Sequence, residues 1–227
     1  MPKAIVCWSG GKDSAFALYE ALRSGAWQPA ALLTTVTADY DRISMHGVRT
    51  ALLEEQADSL GLPLEKALIR AGGSEADYGE AMRRALEKFI AQGIRDVIFG
   101  DLFLEDVRRY REERLAQVGM RPVFPLWQRP TPELARQFIA LGFKAIITCV
   151  DGQQLDGRFA GREYDESFLA DLPEKVDPCG ENGEFHSFVH DGPIFRRPVR
   201  CRAGERVVRD NRFHYCDLVP QAGWRMH

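Results

Sequence analysis

Ser9-Gly10-Gly11-Lys12-Asp13-Ser14 lies directly between two apolar runs, Ala4-Ile5-Val6-Cys7-Trp8 and Ala15-Phe16-Ala17-Leu18-Tyr19. The order reads as a strand, a glycine turn and a helix start. A helix N-terminus exposes unpaired N–H groups and the positive end of the helix dipole, which together suit a phosphate. Gly10 and Gly11 lack a Cβ, so the main chain can approach an anion closely. Lys12 adds a point charge, and the hydroxyls of Ser9 and Ser14 can donate to phosphate oxygens. The segment predicts a nucleotide site.

It is not a Walker A loop, which needs a glycine where Val6 stands and Ser or Thr where Asp13 stands. Nor does a Gly-x-Gly-x-x-Gly fingerprint occur here. The hexapeptide instead resembles the PP-loop of ATP pyrophosphatases, enzymes that cut ATP between the α- and β-phosphates.

The strand–turn–helix unit is the first of several. Apolar, β-prone runs at 3–8, 30–37, 65–69, 96–100, 122–127 and 144–150 alternate with helical patterns. That alternation predicts an α/β fold, a Rossmann-like parallel sheet flanked by helices. Helices are expected over 50–60, 75–92, 104–118 and 133–142, with Ser74 as an N-cap and Gly61, Gly93 and Gly119 as stops. Gln128-Arg129-Pro130-Thr131-Pro132 interrupts the pattern. We place a boundary there, between an ATP-binding domain at 1–127 and a smaller α+β domain at 128–227. From residue 194 onward short strands are expected, with turns at Gly204 or Asp210-Asn211.

Composition narrows the function. The chain has 227 residues, 45% apolar and 28% charged, with a net charge of −3, which argues against a general nucleic-acid or membrane binder. No apolar stretch approaches a membrane span, and no signal segment is expected at the N-terminus. A cytoplasmic, ATP-using protein is the expectation. Its five cysteines show no Cys-x-x-Cys spacing, so no structural metal is expected.

In an open parallel sheet, ligands bind beyond the carboxyl ends of the strands where strand order reverses. The fourth strand ends at Gly100-Asp101, and Asp101 is placed to reach the phosphates or their Mg²⁺. Glu105 and Asp106 open the next helix, whose Arg108, Arg109 and Arg111 read as a solvated charged face. Strand two carries Thr34 and runs into a polar loop with Met45 and His46, suited to contact adenine or an acceptor. A last cluster, Asp177-Pro178-Cys179-Gly180-Glu181-Asn182-Gly183-Glu184-Phe185-His186-Ser187-Phe188, brings carboxylates, an amide, an imidazole and a thiol together around an Asn-Gly hairpin signal. The arginines between Arg196 and Arg212 read as an exposed hairpin face rather than a polyanion site.

The PP-loop, Gly100-Asp101 with its acidic helix start, and the Cys179 to His186 motif together resemble the diphthine–ammonia ligase family over nearly the whole chain. The resemblance implies an adenine-nucleotide α-hydrolase-like domain joined to a smaller C-terminal domain that helps form the acceptor site, and ATP-dependent amide formation on a carboxylate. Ser9, Gly10, Gly11, Lys12, Asp13, Ser14, Thr34, Gly100 and Asp101 are then expected at ATP, with Lys12, Asp13 and Asp101 catalytic. Met45, His46, Glu105, Glu181, Asn182, Glu184 and His186 are expected at the acceptor. Ser44-Met45-His46 lacks the aromatic that diphthine-acting members tend to carry there, which leaves the acceptor open. No glutaminase nucleophile is visible, so free ammonium is the expected nitrogen source, and a homodimer stays open.

Chemistry fixes the order of events in this reading. A carboxylate cannot expel oxide at neutral pH, so its oxygen attacks the α-phosphorus, pyrophosphate leaves, and ammonia displaces AMP from the acyl adenylate. Two other readings compete: a tRNA-modifying PP-loop enzyme, and a module that senses ATP or AMP without turnover.

Overall fold

The computed structural model describes residues 1–39, 42–43 and 47–221. The chain runs β1 (Lys3–Cys7), α1 (Lys12–Ser24), β2 (Gln28–Thr37), β3 (Arg42–Ile43), α2 (Thr50–Leu60), β4 (Leu64–Ile69), α3 (Glu75–Ala91) and β5 (Asp96–Ile98). It continues through α4 (Glu105–Ala116), β6 (Arg121–Val123), α5 (Thr131–Ala140), β7 (Lys144–Asp151), α6 (Glu166–Asp171), β8 (Phe185–Asp191), β9 (Cys201–Arg209) and β10 (Phe213–Pro220).

The first sheet is parallel in the order β4-β2-β1-β5-β6, and β3 adds antiparallel pairing at the end of β2. The chain moves outward from β1 through β2 to β4, then crosses back to β5 on the far side of β1. Strand order therefore reverses between β1 and β5, which is where an open α/β sheet takes its ligand. Alternation along each strand feeds two cores. Val6 and Leu32 pack with Leu18 of α1 and Leu52 of α2, whereas Ile5 and Leu33 pack with Phe89 of α3 and Leu115 of α4.

The second sheet is antiparallel, in the order β8-β7-β10-β9. It joins the first core through α1 and α5. Phe138 stacks on Phe143 at 4.6 Å, and Phe16 meets Phe138 edge-on at 6.3 Å. Each such buried ring contributes roughly 1.5–3 kcal/mol. The main chain fastens the same seam, since Val189 N–H donates to Gly10 O at 2.8 Å. The second sheet thus holds the PP-loop from behind.

Four local expectations change. β3 falls inside what reads as a polar loop. Gly204 lies within β9 rather than at a turn, and the β9–β10 turn is Asp210-Asn211, both in the left-handed region at φ 52° and 47°. Asn182-Gly183 does not close a hairpin: Gly183 N–H bonds Gly180 O, and the chain leads from there into β8, which pairs with β7. The short helix α6 carries too little periodicity to be read, and Asp165 caps it by accepting from Phe168 N–H. By contrast, the expected cap of α3 forms a full capping box between Ser74 and Asp77.

Candidate active site

The PP-loop turns because Gly10 adopts φ 76°, a conformation that an L side chain rarely takes. The turn is tied internally, with Ser14 Oγ donating to Gly11 O at 2.9 Å and lying 3.2 Å from Ser9 Oγ. Two buried groups brace it from outside. Gln56 of α2 donates to Gly10 O and Val189 O and accepts from the Trp8 indole at 2.8 Å. Ser187 of β8 accepts Lys12 N–H at 3.2 Å, so a hydroxyl from the second sheet sits at the first turn of α1.

The β5 end closes on this turn. A Cβ on Gly100 would lie 2.6 Å from the carbonyl carbon of Asp13, so only glycine allows the approach. This gives Gly100 a steric reason for its place.

Between the β1 and β5 ends opens a cleft of about 650 Å³, a size suited to a nucleotide with a further substrate. Ser9, Gly11, Lys12, Asp13 and Ser14 line one end, and Thr34, Gly100, Asp101, Glu181 and His186 also reach its wall. Gly10 lies behind the surface. Asn182 and Glu184 do not line the cleft: the Asn182 amide donates to Glu184 Oε1, which also accepts Asp177 N–H, and this shapes the motif's loop. Glu105 is exposed at the start of α4, and Leu104 and Val107 line the cleft in its stead. Met45 and His46 lie outside the described residues.

Charge in the cleft is concentrated and partly spent on itself. Lys12 is buried, and its Nζ bonds both oxygens of Asp13 at 2.7 Å. Burial alone would discharge Lys12, but Asp13, Cys179 and Glu181 outweigh it and hold the ammonium above its ordinary value. The same Nζ lies 6.0 Å from the Tyr164 ring centroid and 5.9 Å from that of Phe185. Glu181 reaches across to β5, where its Oε1 accepts Leu102 N–H at 2.8 Å. Burial, with Asp13 and Asp101 nearby, pushes its carboxyl up to about 7 against the pull of that N–H and of Lys12. Burial beside Lys12 drives His186 down to about 4, so its imidazole is neutral at physiological pH.

Asp101 is not a free carboxylate. Arg111 Nη2 donates to Oδ1 at 3.0 Å, and Nε lies 2.8 Å from Oδ2. The Arg111 guanidinium also lies over Phe99, 4.4 Å from the ring centroid. This overturns the reading of Arg111 as part of a solvated face, since α4 turns it inward to the β5 end. Thr34 Oγ1 is buried at the cleft wall with no hydrogen-bond partner among the described residues.

Sequence reasoning missed Arg111, Gln56 and Ser187 as parts of the site. Gln56 carried one visible signal, a polar side chain on the apolar stripe of α2. Ser187 lies within the last cluster but carried no signal of its own.

Known proteins resemble this chain in sequence. A family model for the diphthamide synthase N-terminal domain matches residues 2–122, and one for the diphthamide synthase C-terminal domain matches 130–218. A diphthine–ammonia ligase of Homo sapiens is 27% identical over 226 residues, covering 88% of this chain and 83% of that protein. One from Rattus norvegicus is 28% identical with the same coverage. One from Schizosaccharomyces pombe is 26% identical over 97% of this chain but only 39% of its own length. With the first family model matching more than half its length, the chain belongs to the diphthamide synthase family.

Proposed function

We propose that this protein is an ATP-dependent ligase that converts a carboxylate to an amide. The carboxylate oxygen attacks the α-phosphorus of ATP, releasing pyrophosphate, and ammonia displaces AMP from the acyl adenylate. The observation that carries this reading is the meeting of the PP-loop with Glu181 at the point where strand order reverses. In this reading residues 1–127 bind ATP, and residues 128–227 supply Glu181 and His186 to the reacting centre.

The PP-loop N–H groups, Ser9, Ser14 and Lys12 receive the phosphates and stabilise charge growing on pyrophosphate. Thr34, whose hydroxyl has no partner among the described residues, faces the nucleoside. Mg²⁺ would come with ATP and hold phosphate oxygens, which takes one or two protein carboxylates. Asp13 and Asp101 fit that requirement at the cleft, provided that Lys12 and Arg111 let go of them. Ammonium must lose a proton before it can attack. Glu181, poised at about 7 within the cleft, is suited to accept it.

Cys179 weighs against the tRNA-thiolating alternative. It is buried outside the cleft lining, donates to Thr131 O at 3.5 Å and is pushed up to about 12 by burial, so it holds no thiolate at neutral pH.

The test is the nucleotide product formed from Mg-ATP, ammonium and a pool of cellular carboxylates. AMP and pyrophosphate that need the pool and vanish in Lys12→Ala are expected. ADP and phosphate contradict attack at the α-phosphorus, and nucleotide binding with no turnover on any acceptor favours the sensor.

A further inference from the structure

A second cavity, of about 670 Å³, opens on the other side of Arg111. It lies between α3 and α4, where α3 packs over β4 and α4 over β6, leaving a trough floored by Phe99. Leu86, Leu115, Val118 and Tyr110 give it apolar walls, and Arg114 joins Arg111 along one side. Tyr78, Met82, Phe99 and Arg111 line this trough and the nucleotide cleft alike. The two spaces are neighbours through a thin wall of side chains. Gly79 deepens the trough: it sits within α3, a poor place for glycine, and a Cβ there would meet nothing within 4 Å.

We propose that this trough is the acceptor site, taking the apolar or aromatic body of the substrate while Arg111 receives its carboxylate and presents it to the α-phosphate. The inference rests on the ligase reading above and adds to it a substrate class and an approach path. Two observations select this occupant. Tyr78, Met82, Phe99 and Arg111 border both spaces, so the trough abuts the reacting centre, and Arg111 at that shared wall complements an anion. Arg111 is the seam. It already holds one carboxylate, that of Asp101, through one hydrogen bond from Nη2 and a close charge contact at Nε. An incoming carboxylate would take over that contact and free Asp101 towards the phosphates.

Gly79→Leu tests the trough without touching the PP-loop. It fills open space and replaces a poor helix former with a good one, so folding should be retained. The probe is 2-naphthoate, an apolar aromatic carboxylate, titrated by its own fluorescence into wild type and variant, with a fluorescent ATP analogue titrated separately. Saturable naphthoate binding to wild type, weakened about tenfold or more in Gly79→Leu, with equal affinity of both proteins for the ATP analogue, is the expected result. Naphthoate affinity indifferent to Gly79→Leu, or no saturable binding to wild type, overturns the proposal. So does sedimentation showing a wild-type dimer and a monomeric variant, which would assign the trough to a second copy of the chain. Failure of wild type to bind the ATP analogue would instead remove the ligase reading, an outcome separate from the naphthoate comparison.

Discussion

The carboxylate of Glu181 accepts the backbone N–H of Leu102 at 2.8 Å, joining a loop that precedes β8 to the segment that leaves β5. The two partners are 79 positions apart in the chain, yet the contact sets an acid beside Lys12 and the PP-loop. Its surroundings give Glu181 a distinct pH signature.

Because burial raises Glu181 to about 7, turnover that needs its carboxylate form is expected to climb with pH through that value. Glu181→Gln keeps an oxygen for Leu102 N–H but cannot take a proton. We expect turnover to fall by about 10²–10³-fold, with ATP affinity retained and the inflection near neutral pH gone. Stability should move the opposite way. A carboxyl raised in the folded state favours folding most below its ordinary range and loses that advantage as pH rises to about 7. Thermal melts at pH 8 are therefore expected to find Glu181→Gln at least as stable as wild type.

Lys12→Met removes the buried cation between Asp13 and Glu181. ATP turnover should drop by about 10²–10³-fold, as for loss of a principal charge-stabilising donor. Since Lys12 lowers the Glu181 carboxyl, any residual activity should titrate at higher pH than wild type. A pH–rate profile with an unmoved inflection would deny the coupling.

Gln56→Leu should destabilise the fold by about 2–4 kcal/mol, because the Trp8 indole and the carbonyls of Gly10 and Val189 lose their buried partner together. Urea unfolding is the check, with a lower midpoint at an unchanged slope. A shift below 0.5 kcal/mol, the range of an ordinary surface change, would show that the brace is dispensable.

Gly100→Ala places a methyl against the Asp13 main chain and should cost about 1–3 kcal/mol as the β5 end backs away from α1. ATP affinity should weaken in step, measured by calorimetry on protein still folded by circular dichroism. Unaltered affinity would mean that the approach of β5 does not shape the phosphate site.

The nucleotide half of this account was legible in the sequence because its determinants are local. Strand, glycine turn and helix start fall within sixteen consecutive residues, 4–19, and the capping box of Ser74 and Asp77 within four. What escaped depends on partners brought from far along the chain. Arg111 sits in a run so charged that α4 reads as solvated, and only the position of Asp101 at the β5 end turns it inward. Asn182-Gly183 carries a strong hairpin signal, but Glu184 draws the loop onto Asp177 and hands the chain to β7. In Glu184 and Asn182, likewise, residues that look chemical by composition shape the loop that presents Glu181. The trough between α3 and α4 leaves no motif, since its apolar, charged and glycine positions are scattered over two helices and meet only in the fold.

The most direct test of attack at the α-phosphorus is the fate of oxygen from the acceptor. With both carboxylate oxygens labelled as ¹⁸O, the acyl adenylate route predicts one ¹⁸O in the phosphate of AMP and one retained in the amide, read by mass spectrometry. Label in inorganic phosphate, or AMP without label, would contradict the mechanism.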